Sequence, residues 1–142
     1  MKPTTAKNVV LYADDDSDDQ YIVQEAFRQF DASIEVVCMS NGKKAIDYLH
    51  GLQAPESLPC LVILDINMPV MDGKKALQEI RGHERLKDLP VVLFTTSSNP
   101  ADESFAYQHR AGFITKPTAV NDLHSIAAHF ISHCQEELSN RG

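Results

Sequence analysis

Five of the six residues from Asp14 to Asp19 are carboxylates, and they follow directly on the apolar run "VVLYA". Two like charges about 4 Å apart cost on the order of 4 kcal/mol at an effective dielectric of about 20, so such a cluster calls for a compensating charge. A hard divalent cation is one answer, since Mg2+ takes oxygen ligands and keeps several of its waters. Further reactive groups stand at the ends of other apolar runs: Asp65 after "LVIL", Thr95 and Thr96 after "VVLF", and Lys116 after "FIT". An aspartate can attack phosphorus as a nucleophile. A metal and a lysine would neutralise the charge on the transferring oxygens, and a threonine hydroxyl would bond the same group. Asp14 and Asp15 are the expected metal seat. Asp18 and Asp19 read as first-turn acids that favour a helix dipole, with Ser17 or Asp18 as N-cap. Asp16 is left between the two roles.

These groups meet only if the elements that carry them end at one edge. Short apolar runs with strand character occur at Val9–Ala13, Ile34–Met39, Cys60–Asp65, Val91–Thr95 and Phe113–Thr115. Stretches with helical spacing separate them. In "SDDQYIVQEAFRQF", Ile22, Val23, Ala26, Phe27 and Phe30 share a face. A second helix opens at Asn41 and ends near Gly51, and a third runs from an Asp72 cap to Gly82. A fourth, with a thin apolar stripe, is expected around Pro100 to Arg110. The last shows a sustained stripe: Val120, Leu123, Ile126, Ala127, Phe130, Ile131, Cys134 and Leu138. The third and fourth strands are almost continuously apolar, which suits parallel strands covered on both faces. Strand and helix alternating in this way predict an α/β fold, a parallel sheet with helices on both sides. In such a sheet the ligand site lies at the carboxyl ends of the strands, where every reactive group named above is expected.

At 142 residues the chain is expected to be a single domain spanning residues 1–142, with no effector domain attached. Its net charge of −7 argues against nucleic acid, which is bound by displacing counterions with Lys and Arg. The three cysteines, Cys38, Cys60 and Cys134, are odd in number and lie in apolar runs, so they read as small buried hydrophobes rather than a disulfide framework. "MKPTTAKN" has no apolar leader core, and no run approaches the roughly 20 apolar residues that span a bilayer. The expectation is a cytoplasmic protein without membrane contact.

Four motifs in order, "VVLYADDD", "LVILDINMPVMDG", "PVVLFTTS" and "FITKP", resemble the receiver domain of two-component response regulators. The resemblance covers nearly the whole chain and is closest in style to stand-alone chemotaxis-type receivers, including the phytochrome-associated branch. It implies a flavodoxin-like (βα)5 sandwich with sheet order 2-1-3-4-5. Transferred by position, Asp65 is the phosphoacceptor, Asp14 and Asp15 hold Mg2+, and Asn67 offers its backbone carbonyl to the metal. Thr95 is the switch hydroxyl, Phe113 the switch aromatic, and Lys116 the phosphate-binding lysine, followed by a cis peptide at Pro117. The implied partners are a histidine kinase or phosphotransfer protein as donor. An output protein or a second copy would bind the face built by helix 4, strand 5 and helix 5. One departure stands out: where the family ends helix 4 with a Gly-Ala pair, this chain has His109 and Arg110, with Gly112 directly before Phe113.

Other signals carry less. His129 and His133 are one helical turn apart but lack a third ligand, and read as solvated. The two "GKK" runs lack a phosphate-loop pattern and read as helix starts. Phe105 and Tyr107 fall on different faces, so one is expected in the core and the other outside. An aspartyl-phosphate hydrolase would want a general-acid aspartate where Asn67 stands. A flavin carrier would not place carboxylates after its first strand. A receiver that only docks, without taking phosphate, is opposed by the complete set of site residues.

Overall fold

The computed structural model describes residues 8–54, 57–117 and 126–132. The strands are β1 (Asn8–Ala13), β2 (Ile34–Met39), β3 (Leu61–Leu64), β4 (Val91–Thr95) and β5 (Gly112–Thr115). The helices are α1 (Ser17–Phe30), α2 (Gly42–Gly51), α3 (Gly73–Gly82) and α4 (Pro100–Gln108), followed by a helical stretch at residues 126–132. All strand pairs are parallel, in the order β2-β1-β3-β4-β5, the order the resemblance implies.

Period-two alternation divides the sheet's side chains between two cores. Leu11, Ala13, Val62, Leu64, Val91 and Leu93 face α2 and α3, with Ala106 of α4. Val10, Tyr12, Leu61, Ile63, Val92 and Phe94 face α1 and the segment 126–132. There Phe130 stacks on Phe27 and meets Phe94 edge-on, at centroid separations of 5.7 and 5.2 Å. Of the stripe predicted for the last helix, Ile126, Ala127, Phe130 and Ile131 are buried. Val120, Leu123, Cys134 and Leu138 lie outside the described residues, as does His133.

Local chemistry sets the helix starts. Asn41 caps α2 by accepting from the Lys44 N–H, and Asp72 caps α3 by accepting from the Lys75 N–H. At α1 the cap is Asp16, one residue before the expected Ser17 or Asp18: its carboxylate accepts from the backbone of both Asp18 and Asp19. Phe30 is 47% exposed rather than on the buried face, because it is the last residue of α1, where the chain turns at Asp31. Cys38 and Cys60 are partly rather than fully buried. Burial and the charge of Asp14 push the Cys38 thiol up to about 11, which keeps it protonated. No described helix is long and apolar enough to cross a membrane.

The sequence departure falls in the α4–β5 turn. Arg110 stands at φ 58°, in the left-handed region that favours glycine. The Arg81 guanidinium braces this turn, donating to the carbonyls of His109 (2.7 Å), Arg110 (3.1 Å), Leu89 (2.7 Å) and Lys87 (3.0 Å). A planar fork with fixed donors suits this task, joining α3 to both the entry of β4 and the entry of β5.

Candidate functional site

Ladder hydrogen bonds deliver the reactive residues to one edge. The Asp14 N–H donates to the Met39 carbonyl, Asp65 to Ala13, and Lys116 to Thr95, at 3.0, 3.0 and 2.7 Å. Each of the three therefore sits where its strand stops pairing. One ligand oxygen from each of Asp14, Asp15 and Asp65 lies within 4.8 Å of the others. Asp14 and Asp65 are buried and Asp15 is exposed. Three hard oxygen donors at an open edge, one of them in water, suit a hard divalent cation that keeps part of its hydration shell.

The Lys116 ammonium reaches into this cluster. Its Nζ lies 2.8 Å from Asp14 Oδ2, 2.8 Å from Asp19 Oδ2 and 3.2 Å from Asp65 Oδ2. It also stands 5.7 Å from the Phe94 ring centroid. Burial lowers the affinity of this ammonium for its proton. The hydrogen bonds to Asp14 and Asp19, with the charges of Asp14 and Asp65, more than reverse that, so it stays protonated above the ordinary lysine range. Burial raises the Asp65 carboxyl above the usual range. Lys116 opposes that rise and the charge of Asp14 adds to it. An aspartate so placed gains most from a second cation.

Asp14 is fully enclosed, and both of its carboxylate oxygens accept hydrogen bonds. Oδ2 accepts from the Tyr12 phenol at 2.5 Å as well as from Lys116, and Oδ1 accepts from the Asp16 N–H at 2.9 Å. Its carbonyl accepts from the Gln20 amide at 2.6 Å. Tyr12 lies below the site with no exposed surface. Burial, then the charge and hydrogen bond of Asp14, hold its hydroxyl protonated well above the ordinary phenol range.

The loop after Asp65 is tightly folded. Gly73 packs so closely that a Cβ there would fall 2.1 Å from the Asp65 carbonyl oxygen, and its N–H donates to Ile66. Met71 N–H donates to Pro69 across Val70, which at φ 67° and 81% exposure is the centre of a γ-type turn, a strained place for a β-branched residue. Asn67, two residues after Asp65, is exposed. Thr95 is buried, its hydroxyl oxygen accepting from the Ser97 N–H at 3.2 Å. Ser97 in turn donates to Asp102, which pairs with Lys74 of α3, both at 2.5 Å.

Phe113 is half-buried against the core on the α2–α3 side. Pro117 lines a small cleft with Asp19, Phe94 and Lys116. The cis peptide carried over for Pro117 is absent: no described bond is cis, and an X–Pro amide favours trans by about 0.5–1 kcal/mol. Phe105 packs against the core while Tyr107 is 84% exposed, dividing the two aromatics as their spacing implies.

Two site residues escaped sequence reasoning. Asp19 reads as a first-turn acid and is one, yet its side chain crosses to Lys116. Tyr12 was hidden in an apolar run. A phenol two residues before Asp14 shares its side of the strand, and a buried hydroxyl needs a partner, so a signal was present.

Comparison with known proteins agrees with this geometry. The family described as "Response regulator receiver domain" matches residues 10–128. The response regulator Rcp1 of Synechocystis sp. is 33% identical over 118 residues, covering 81% of this chain and 80% of that protein. FilR2 of Methanothrix harundinacea, a probable methanogenesis regulatory protein, is 32% identical over 117 residues, covering 81% and 76%. Among solved structures, the phosphorylated cyanobacterial phytochrome response regulator RcpA superposes with a TM-score of 0.79 at 31% identity, over 89% of this chain and 96% of that one. The Mn2+-bound form of Rcp1 gives 0.77 at 30%, over 88% and 92%. With the family matched along most of its length and the acidic edge in place, the chain belongs to the response regulator receiver family.

Proposed function

We propose that this chain is a receiver that takes a phosphoryl group on Asp65 from a histidine kinase or phosphotransfer protein and changes its protein contacts as a result. The observation that carries the reading is the Lys116 ammonium, 3.2 Å from Asp65 within a cluster that also holds Asp14 and Asp15. In the reaction an Asp65 carboxylate oxygen bonds to phosphorus as the P–N bond of the donor phosphohistidine breaks. The bonding pair returns to the imidazole nitrogen. Lys116 places positive charge beside the transferring oxygens, and the low exposure of the site strengthens that interaction. Asp14, Asp15, Asp65 and the Asn67 carbonyl would hold Mg2+, which supplies further charge neutralisation when bound.

The buried Thr95 hydroxyl, whose oxygen accepts from the Ser97 N–H, then donates its O–H to a phosphoryl oxygen, and Phe113 repacks at the strand next to it. Output passes through α4, β5 and the helix that includes residues 126–132, to another protein or to a second copy. Moving such a two-state element from 1:99 to 99:1 takes about 5.5 kcal/mol of differential interaction, which a new charged group with several hydrogen bonds can supply.

The test is incubation with acetyl phosphate, with and without Mg2+, followed by intact mass of wild type and Asp65→Asn. The reading expects a Mg2+-dependent gain of one phosphoryl group that the variant lacks. A folded wild type that gains nothing would leave only a docking role.

A further inference from the structure

An ammonium has three N–H donors, and all three of Lys116's are spent on carboxylates: Asp14, Asp19 and Asp65. A phosphoryl group on Asp65 needs one of them, so one contact must yield. The Asp65 contact is the longest, 3.2 Å, but it lies on the acceptor itself and is remade to the new oxygens. Asp14 is a poor candidate to yield, being fully buried and bound to Lys116 at an oxygen that also accepts from Tyr12. Asp19 differs in both respects. Its carboxylate has Lys116 as its side-chain partner in the structure, and at 33% side-chain exposure water can replace that bond at once.

We propose that Asp19 is a positioning residue for Lys116. It holds the third N–H at the first turn of α1 in the resting state and releases it to a phosphoryl oxygen, so that this turn sets how readily Asp65 is modified. The proposal rests on the reading of Asp65 as phosphoacceptor. Its sign follows from charge: Asp19 both retains the ammonium and repels an anionic donor, and both effects slow transfer. It also attracts the divalent cation, which acts the other way but vanishes once the cation is saturating. Asp19→Asn therefore separates two quantities that a damaged fold would worsen together. The Mg2+ concentration for half-maximal rate rises, while the rate at saturating Mg2+ increases.

The experiment follows acetyl phosphate modification by intact mass across a Mg2+ titration in wild type, Asp19→Asn, Asp19→Glu and Asp65→Asn. At saturating Mg2+ the Asn variant is expected to react roughly three- to tenfold faster than wild type, the range for one part-exposed charge a few ångströms away. The Glu variant, which keeps the charge, stays within about twofold of wild type. An Asn variant that reacts no faster, in the presence of a normally reacting wild type, overturns the role of Asp19 alone. No modification of wild type overturns the phosphoacceptor reading and this inference with it.

Discussion

Removing the Tyr12 hydroxyl tests whether the buried carboxylate beneath the site is held as described. Tyr12→Phe keeps the ring, which packs 6.3 Å from Phe94, and deletes only the donor that lies 2.5 Å from Asp14 Oδ2. A hydrogen bond to a charged acceptor contributes about 1.5–3 kcal/mol, and Lys116 still serves that oxygen, so the expected loss near neutral pH is about 2 kcal/mol. The loss should depend on pH in a definite direction. Folded Tyr12 keeps its proton far above pH 10, whereas the unfolded chain releases it near 10. The folded state then binds more protons, so this group's stabilisation is intact below pH 10 and falls as pH rises beyond it. At pH 11 the decline is about 1.4 kcal/mol and at pH 9 under about 0.1 kcal/mol. Wild type should therefore exceed Tyr12→Phe by about 2 kcal/mol at pH 9 and by only about 0.6 kcal/mol at pH 11. Lys116 and Cys38 also lose stabilisation in alkali, but they do so in both proteins and cancel in the difference. Urea denaturation at pH 7, 9 and 11 reads the gap. A gap that is absent at pH 7, or unchanged between pH 9 and 11, would refute a phenol held protonated against Asp14.

The Arg81 brace predicts that Arg81→Met costs about 2–3 kcal/mol in urea denaturation, because four backbone carbonyls lose a charged donor. Arg110→Gly should gain about 0.5–1 kcal/mol, the relief of a left-handed residue less the added freedom of glycine in the unfolded chain; a loss would contradict the turn geometry. Gly73→Ala should cost about 2–3 kcal/mol, since its Cβ would fall on the Asp65 carbonyl, and a neutral outcome would mean that the loop is not packed so closely. Mg2+ at about 100 times its Kd should raise folding stability by about 2.7 kcal/mol over NaCl of equal ionic strength. Asp15→Asn should lose most of that gain while folding normally without the ion; retention of the full gain would place the cation elsewhere.

Elements set by local sequence were legible, and contacts that close over long separations were not. The bounds of α1, α3, β2 and β4 follow from apolar periodicity and from caps such as Asp72, which act within a few residues. Sheet order came from the resemblance, and the strand pairing bears it out. The convergence of Asp14, Asp15 and Asp65 was readable because parallel strands end together. The reach of Asp19 to Lys116 spans 97 positions, and nothing within one helical turn announces it. Arg81 looked like an ordinary last-turn base on α3, since its carbonyl partners at His109 and Arg110 lie 28 and 29 residues on. The cap of α1 falls on Asp16 rather than Ser17 or Asp18, and the sequence does not single it out because every residue from Asp14 to Asp19 is a competent capping side chain.

Asp65, and no other carboxylate of the cluster, is the proposed site of phosphoryl transfer. The most direct measurement treats the protein with acetyl phosphate and Mg2+, traps the acyl phosphate with borohydride and locates the reduced residue by peptide mass spectrometry. Homoserine is expected at position 65, with Asp14, Asp15 and Asp19 unchanged. Reduction at any of those three, or a phosphorylated protein with Asp65 intact, would contradict it.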